Sequence, residues 1–205
     1  MPPQLIIFDF DGTLADSAPW FAGELNDLAR RFRFREVSEA ERQELRRMDT
    51  RSIIRFLGIA RWKMPFIARH MRRRAAEDAA SIPLFPGTSE AIRHLSQRAP
   101  LAIASSNAEA NIRRILGPSA GHFRHYACGA SLLGKARLFR GLIRRAGADP
   151  RAVYCVGDEQ RDIEAARAAS ARAVAVSWGY AHREALAAAR PDLLVDSLEE
   201  LLARL

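Results

Sequence analysis

The stretch Gln4-Leu5-Ile6-Ile7-Phe8-Asp9-Phe10-Asp11-Gly12-Thr13 carries the pattern that decides the fold. Leu5 to Phe8 is a continuous apolar run without polar alternation. Such a run reads as a short strand buried on both faces, the habit of a parallel sheet. It stops at Asp9, and Gly12 supplies a turn. In an open parallel sheet, ligands bind at the carboxyl ends of the strands. A first strand ending in carboxylates therefore points to a site there. Residues two apart in a strand share a face. Asp9 and Asp11 are thus candidates to face one substrate, one attacking it and the other moving protons.

Four similar runs lie much further along: 101–104, 153–156, 173–176 and 193–195. Helical patterns separate them. One spans 108–116 after Asn107 and stops at Gly117-Pro118. Another spans 135–146, with Leu138, Phe139, Leu142 and Ile143 on one face, and stops at Gly147. An Ala-rich helix covers 163–169, and Ser197 caps a last one. Strands alternating with helices imply βαβ units, hence an α/β fold with helices on both faces of a parallel sheet.

Residues 17–83 break the rhythm. They contain no convincing strand. Trp20, Phe21, Leu25, Leu28 and Phe32 recur at helical spacing, and Ser38 to Glu41 has the form of a capping box. Ile53 to Leu57 suggests a third helix, and 62–80 a fourth with Pro65 in its first turn. The expected organisation is a core of 1–16 and 84–205, interrupted by an all-helical insert at 17–83. Trp20, Phe21 and Trp62 are expected in the interior of that insert.

The ends of several strands carry the chemistry. Ser105, Ser106 and Asn107 follow the second run. Gly157-Asp158-Glu159-Gln160-Arg161-Asp162 follows the third. Lys135 opens a helix after the loop 129–134. If these ends converge, Asp9, Asp11, Asp158 and Asp162 share one spot. Ionised carboxylates so placed raise one another's pKa, so either some protonate or a cation sits among them. An all-oxygen donor set suits Mg²⁺, which also accepts a phosphate oxygen. Lys135 adds positive charge. Ser105 and backbone N–H groups near Asp11 and Ser106 offer donors for the remaining phosphate oxygens.

Asp9-Phe10-Asp11-Gly12-Thr13-Leu14 resembles the first motif of the haloacid dehalogenase-like phosphatases, the phosphoglycolate phosphatase-like group in particular. Ser105 matches the second motif, Lys135 the third, and Gly157-Asp158 with Asp162 the fourth, in the same order. The resemblance implies a Rossmann-like α/β core with a helical cap inserted after the first motif. It implies that Asp9 becomes an aspartyl-phosphate and that Asp11 protonates the leaving oxygen and then activates water. It implies that Mg²⁺ is held by the Asp9 carboxylate, the Asp11 backbone carbonyl and Asp158, with Asp162 and Glu159 supporting the metal shell or Lys135. Thr13 is implied to brace the turn. True dehalogenases of the superfamily lack the second aspartate, so Asp11 points to phosphoryl transfer. Ser106, Asn107 and Arg51 are the expected substrate contacts, Arg51 because a guanidinium pairs bidentately with carboxylate or phosphate.

The chain has 205 residues and a net charge of +8. Lys63 and Lys135 are the only lysines, and fifteen basic against nine acidic residues fall within 17–83. A basic cap closing over an anionic substrate is the expectation. The substrate expected is a small phosphorylated metabolite, phosphoglycolate first. A phosphomutase is the nearest rival and would give isomerised sugar rather than free phosphate. A non-catalytic nucleic-acid-binding protein is motivated by Arg72-Arg73-Arg74, but no aromatics interleave there as a stacking groove requires. No apolar run is long enough to cross a bilayer. Nothing reads as a signal peptide, and two cysteines disfavour a disulfide framework. A cytoplasmic setting is expected, and a monomer and a homodimer both stay open. The five histidines lack ligand spacing for zinc.

Overall fold

The computed structural model describes residues 2–129 and 134–205. The loop expected at 130–133 lies outside them. Among the described residues six strands run in chain order: β1 (Leu5–Phe8), β2 (Leu101–Ser105), β3 (Phe123–Cys128), β4 (Val153–Gly157), β5 (Arg172–Val176) and β6 (Leu193–Val195). They form one sheet in the order β3-β2-β1-β4-β5-β6, every pairing parallel. Between β1 and β2 lie α1 (Ala18–Phe32), α2 (Glu39–Leu45), α3 (Thr50–Phe56), α4 (Met64–Glu77) and α5 (Thr88–Arg98). The remaining helices are α6 (Glu109–Leu116), α7 (Lys135–Ala146), α8 (Gln160–Ala168), α9 (Arg183–Ala188) and α10 (Leu198–Arg204).

The pleat of β1 sorts the core into two layers, because successive side chains point to opposite faces. Ile6 and Phe8 pack with Ile92 and Leu95 of α5, Ile112 of α6 and Leu201 of α10. Leu5 and Ile7 pack with Phe139 and Leu142 of α7, Ile163 of α8 and Leu186 of α9. Burial on both faces is why β1 needs no polar positions. Phe8 pairs with Ile103 on one side and Val156 on the other. The chain leaves β1 toward one side and returns on the other, so the strand order reverses between β1 and β4. Ligands collect at such a reversal, beyond the strand ends.

The segment from α1 to α4 has its own small apolar cluster around Leu25, Val37, Leu45 and Leu57. Two signals from the sequence reappear as geometry. Ser38 and Glu41 form a reciprocal capping box on α2, and Pro65 lies in the first turn of α4. The aromatic expectation needs correction. Trp62 is 69 % exposed and Phe21 40 % exposed, so neither belongs to an interior. Helical spacing gives a common face for such rings but not a neighbour to cover it. Trp20 is partly buried against the sheet-side core, and its indole N–H donates to Asp78 at 3.0 Å. No helix of the described residues is long and apolar enough to cross a membrane.

Candidate active site

The turn after β1 is built by its own backbone. Leu14 and Ala15 N–H groups donate to the Phe10 carbonyl, and Gly12 N–H donates to Ala15. Gly12 takes φ +75°, a conformation that glycine tolerates best. A Cβ there would also sit 2.2 Å from Asp158 Oδ2. The tight turn folds Thr13 back beneath the sheet end, where its hydroxyl donates to Asp158 Oδ1 at 2.9 Å.

Asp9, Asp158 and Asp162 offer carboxylate oxygens that all lie within 4.8 Å of one another, and all three residues are buried. Lys135, at the first turn of α7, forms ion pairs with both Asp9 and Asp162. An ammonium at a helix N-terminus opposes the helix dipole, and these two carboxylates offset that cost. Burial works against the lysine charge, but Asp162 and Asp9 outweigh it and hold the lysine pKa above its usual value. Asp9 Oδ1 accepts from Phe10 N–H at 2.7 Å. Asp162 also serves its helix, accepting from Glu159 N–H at 3.1 Å in a second capping box.

The carboxyl groups are held under electrostatic stress. Burial pushes Asp9 up to about 6; Lys135 pulls the other way, and Asp162 pushes with the burial. Asp158 is raised well above the ordinary carboxylate value by burial and then by Glu159, Asp9 and Asp162. Asp11 is raised by burial, partly offset by hydrogen bonds from Ser17 and Asn107. A divalent cation among Asp9, Asp158 and Asp162 would relieve this repulsion, and oxygen donors alone suit a hard ion.

Ser105 is buried at the end of β2, where its hydroxyl accepts from Asn107 N–H at 3.1 Å. Asn107 aims its amide at Asp11, 3.4 Å from Oδ2. Asp11, Ser106, Asn107, Asp158 and Glu159 all line a cavity of about 270 Å³ that extends from the strand ends into the helical segment. Glu159 also accepts from Thr50 at the start of α3, at 3.2 Å.

Arg51 does not fulfil its expected part. It is exposed and is not in the cavity wall. The guanidiniums that do line the cavity are Arg72 and Arg161. Arg161 pairs with Glu159 and stands 4.0 Å from Asp9 Oδ2. Its position three residues after Asp158 was the available signal. Arg51, Arg55, Arg61 and Arg69 all point to solvent, so the charge of this segment lies on its outside rather than over the site.

Gly179 and Tyr180, from the loop after β5, were not legible as site residues. Tyr180 N–H donates to Asp158 Oδ2 at 2.8 Å. A Cβ on Gly179 would meet Asp158 Cβ and the Gly12 carbonyl oxygen, both at 2.3 Å. Neither contact is the far end of a flexible chain. Gly179→Ala is therefore expected to cost about 1–3 kcal/mol, as overpacking does, read from denaturant unfolding. A variant as stable as the parent would show that this loop stands further from Asp158.

A family model described as haloacid dehalogenase-like hydrolase matches residues 6–176. The chain belongs to the haloacid dehalogenase-like hydrolases. It is 37% identical over 202 residues to a phosphoglycolate phosphatase of Synechococcus elongatus, covering 97% of this chain and 95% of that one. A phosphoglycolate phosphatase of Mesorhizobium japonicum is 32% identical, over 89% of this chain and 86% of its own. The fold is shared with CbbY of Rhodobacter sphaeroides, solved in complex with phosphate, at a TM-score of 0.74 and 24% identity over 98% and 96% of the two chains. This haloacid dehalogenase-like chain is accordingly a hydrolase of the phosphoglycolate phosphatase-like kind.

Proposed function

We propose that the chain is a Mg²⁺-dependent phosphatase that hydrolyses a small phosphate monoester through an aspartyl-phosphate on Asp9. The observation that carries this reading is the buried cluster of Asp9, Asp158 and Asp162 around Lys135, set beside the cavity at the strand reversal. Asp9, Asp158 and the Asp11 carbonyl are the groups that would hold Mg²⁺. When bound, the ion supplies Lewis-acid neutralisation of charge on the phosphoryl oxygens.

Asp9 Oδ2 attacks phosphorus as the ester P–O bond breaks. Asp11, whose raised pKa favours the protonated form, gives its proton to the departing alkoxide. Asp11 then takes a proton from a water whose oxygen attacks phosphorus. The bond to Asp9 breaks, inorganic phosphate leaves, and Asp9 is restored as the carboxylate and Asp11 as the acid. Lys135 and Arg161 hold the developing negative charge beside Asp9. Ser105, Ser106 and Asn107 orient the phosphoryl group and Asp11. Glu159 and Asp162 support the acidic site and the lysine. Residues 17–83 act as the cap.

The sign of the pH dependence follows from Asp9. Its folded pKa of about 6 lies above the ordinary value of 3.8. The folded state therefore holds the proton more tightly, and this group's contribution to stability is lost as pH rises from about 4 to 6. Mg²⁺ requires the ionised form, so its effect must grow over the same range. Mg²⁺ at about 100 times its dissociation constant is expected to stabilise by about 2.7 kcal/mol at pH 8. That gain should shrink through pH 6 and be absent at pH 4.5. Thermal melts with and without Mg²⁺ test this, beside phosphate release from p-nitrophenyl phosphate. No Mg²⁺ shift at any pH, with no release, would remove the proposal.

A further inference from the structure

The cavity has two unlike ends. Its floor is polar, formed by Asp11, Ser106, Asn107, Asp158, Glu159 and Arg161. Its walls are not. Leu25 of α1, Ile53 of α3, Leu57, and Met64, Ile67 and Met71 of α4 face it. Among the described lining residues from 17 to 83, Arg72 alone is charged. One nitrogen of Arg72, Nη1, is already bonded to the carbonyls of Ser106 and Gly129, each at 3.2 Å. Arg161 is engaged by Glu159 on the floor.

A phosphoryl group bound beside Asp9 would project its leaving group away from the strand ends and into this chamber. An ionised carboxylate there would lose its water and gain little, which is costly. Hydrocarbon would gain from the same walls. Floor and walls together enclose about 270 Å³, near the lower end of small-molecule sites.

We infer that the leaving group is apolar: the substrate is a phosphate monoester of a small aliphatic or aromatic alcohol rather than of a hydroxy acid. This rests on the phosphatase reading above and narrows it. The relatives' substrate, a phosphorylated hydroxy acid, would need a cation on these walls; among the described wall residues from 17 to 83 only Arg72 carries one, and its Nη1 is held by the Ser106 and Gly129 carbonyls beside the floor. The outer arginines remain suited to drawing in the dianionic phosphoryl group, which every such ester carries.

The test is kcat/KM of the full-length chain, with Mg²⁺, for methyl, ethyl, propyl and butyl phosphate, benzyl phosphate and phosphoglycolate. Each added methylene is expected to raise kcat/KM about fourfold, the worth of one buried CH₂. Butyl and benzyl phosphate should both exceed phosphoglycolate. Ile67→Glu, which places a charge in the wall, should lower the butyl phosphate value more than tenfold and the methyl phosphate value less. The alkyl series needs no variant and decides the matter even if that protein does not fold. A flat series with phosphoglycolate preferred overturns the apolar assignment while Asp9-dependent hydrolysis stands. Absence of Mg²⁺-dependent release from every ester removes both readings.

Discussion

Asp9→Asn is expected to lower phosphate release by at least about 10⁴-fold, in the range seen when a nucleophile is deleted, while leaving the chain folded. The carboxamide keeps the shape of the carboxylate, and its oxygen can still accept from Phe10 N–H, as Oδ1 does now. Lys135 keeps Asp162 as a partner, so no buried charge is stranded. Relief of repulsion from Asp158 should offset part of the lost ion pair. What is lost is the oxygen that bonds to phosphorus. Rapid acid quench of the parent with labelled substrate should trap phosphate on the protein, and the variant should trap none. Turnover within tenfold of the parent would place the nucleophile elsewhere.

Lys135→Met should be the most destabilising single change in the site. The side chain is buried and paired with two carboxylates. Removing one member of a buried charge cluster costs about 3–5 kcal/mol, because the remaining charges are left unpaired. For a chain of this length that is a fall in melting temperature of roughly 10 °C. The loss should be largest at pH 7–8 and shrink toward pH 4, where Asp9 is protonated and needs no partner. The double variant Lys135→Met, Asp162→Asn should regain part of it. Urea unfolding at both pH values measures each quantity. A loss under 1 kcal/mol at pH 8, or one independent of pH, would contradict the buried pairing.

The residues that were readable beforehand are those whose environment is dictated by local pattern. β1, β2, β4, β5 and β6 stood out as short apolar runs because a parallel strand inside a sheet is covered on both faces. β3 (Phe-Arg-His-Tyr-Ala-Cys) read as strand-like only in Tyr126-Ala127-Cys128, since it lies at the sheet edge and carries polar residues in its first half. α5 was missed, although Gly87 in a left-handed conformation sets its start and Ala91, Ile92 and Leu95 make its buried stripe. Asp9, Ser105, Asp158 and Lys135 could be placed because each ends a strand or opens a helix, and strand ends meet by topology. Arg72, Gly179 and Tyr180 could not. Their closeness to the site depends on how distant elements lean on one another, which no spacing encodes. Arg51 failed for the same reason. Its place in a helix was legible, but the face of α3 turned inward was set by packing of Ile53 and Phe56 with the cluster of Leu25, Leu45 and Leu57.

The helical segment is also fastened to the loop that supports Asp158. Arg46, just past α2, donates to the carbonyls of Tyr180 at 2.8 Å and Gly179 at 3.2 Å, and its own carbonyl accepts from His182 N–H at 3.0 Å. The same short loop presents Tyr180 N–H to Asp158. Three bonds of about 1 kcal/mol each make a latch that thermal motion can open and reclose. Swinging the helices outward would tug on the very peptide that aligns an acidic oxygen. On the proposed reading, admission of a substrate and grip on a cation would both be geared to one hinge pin, a single arginine.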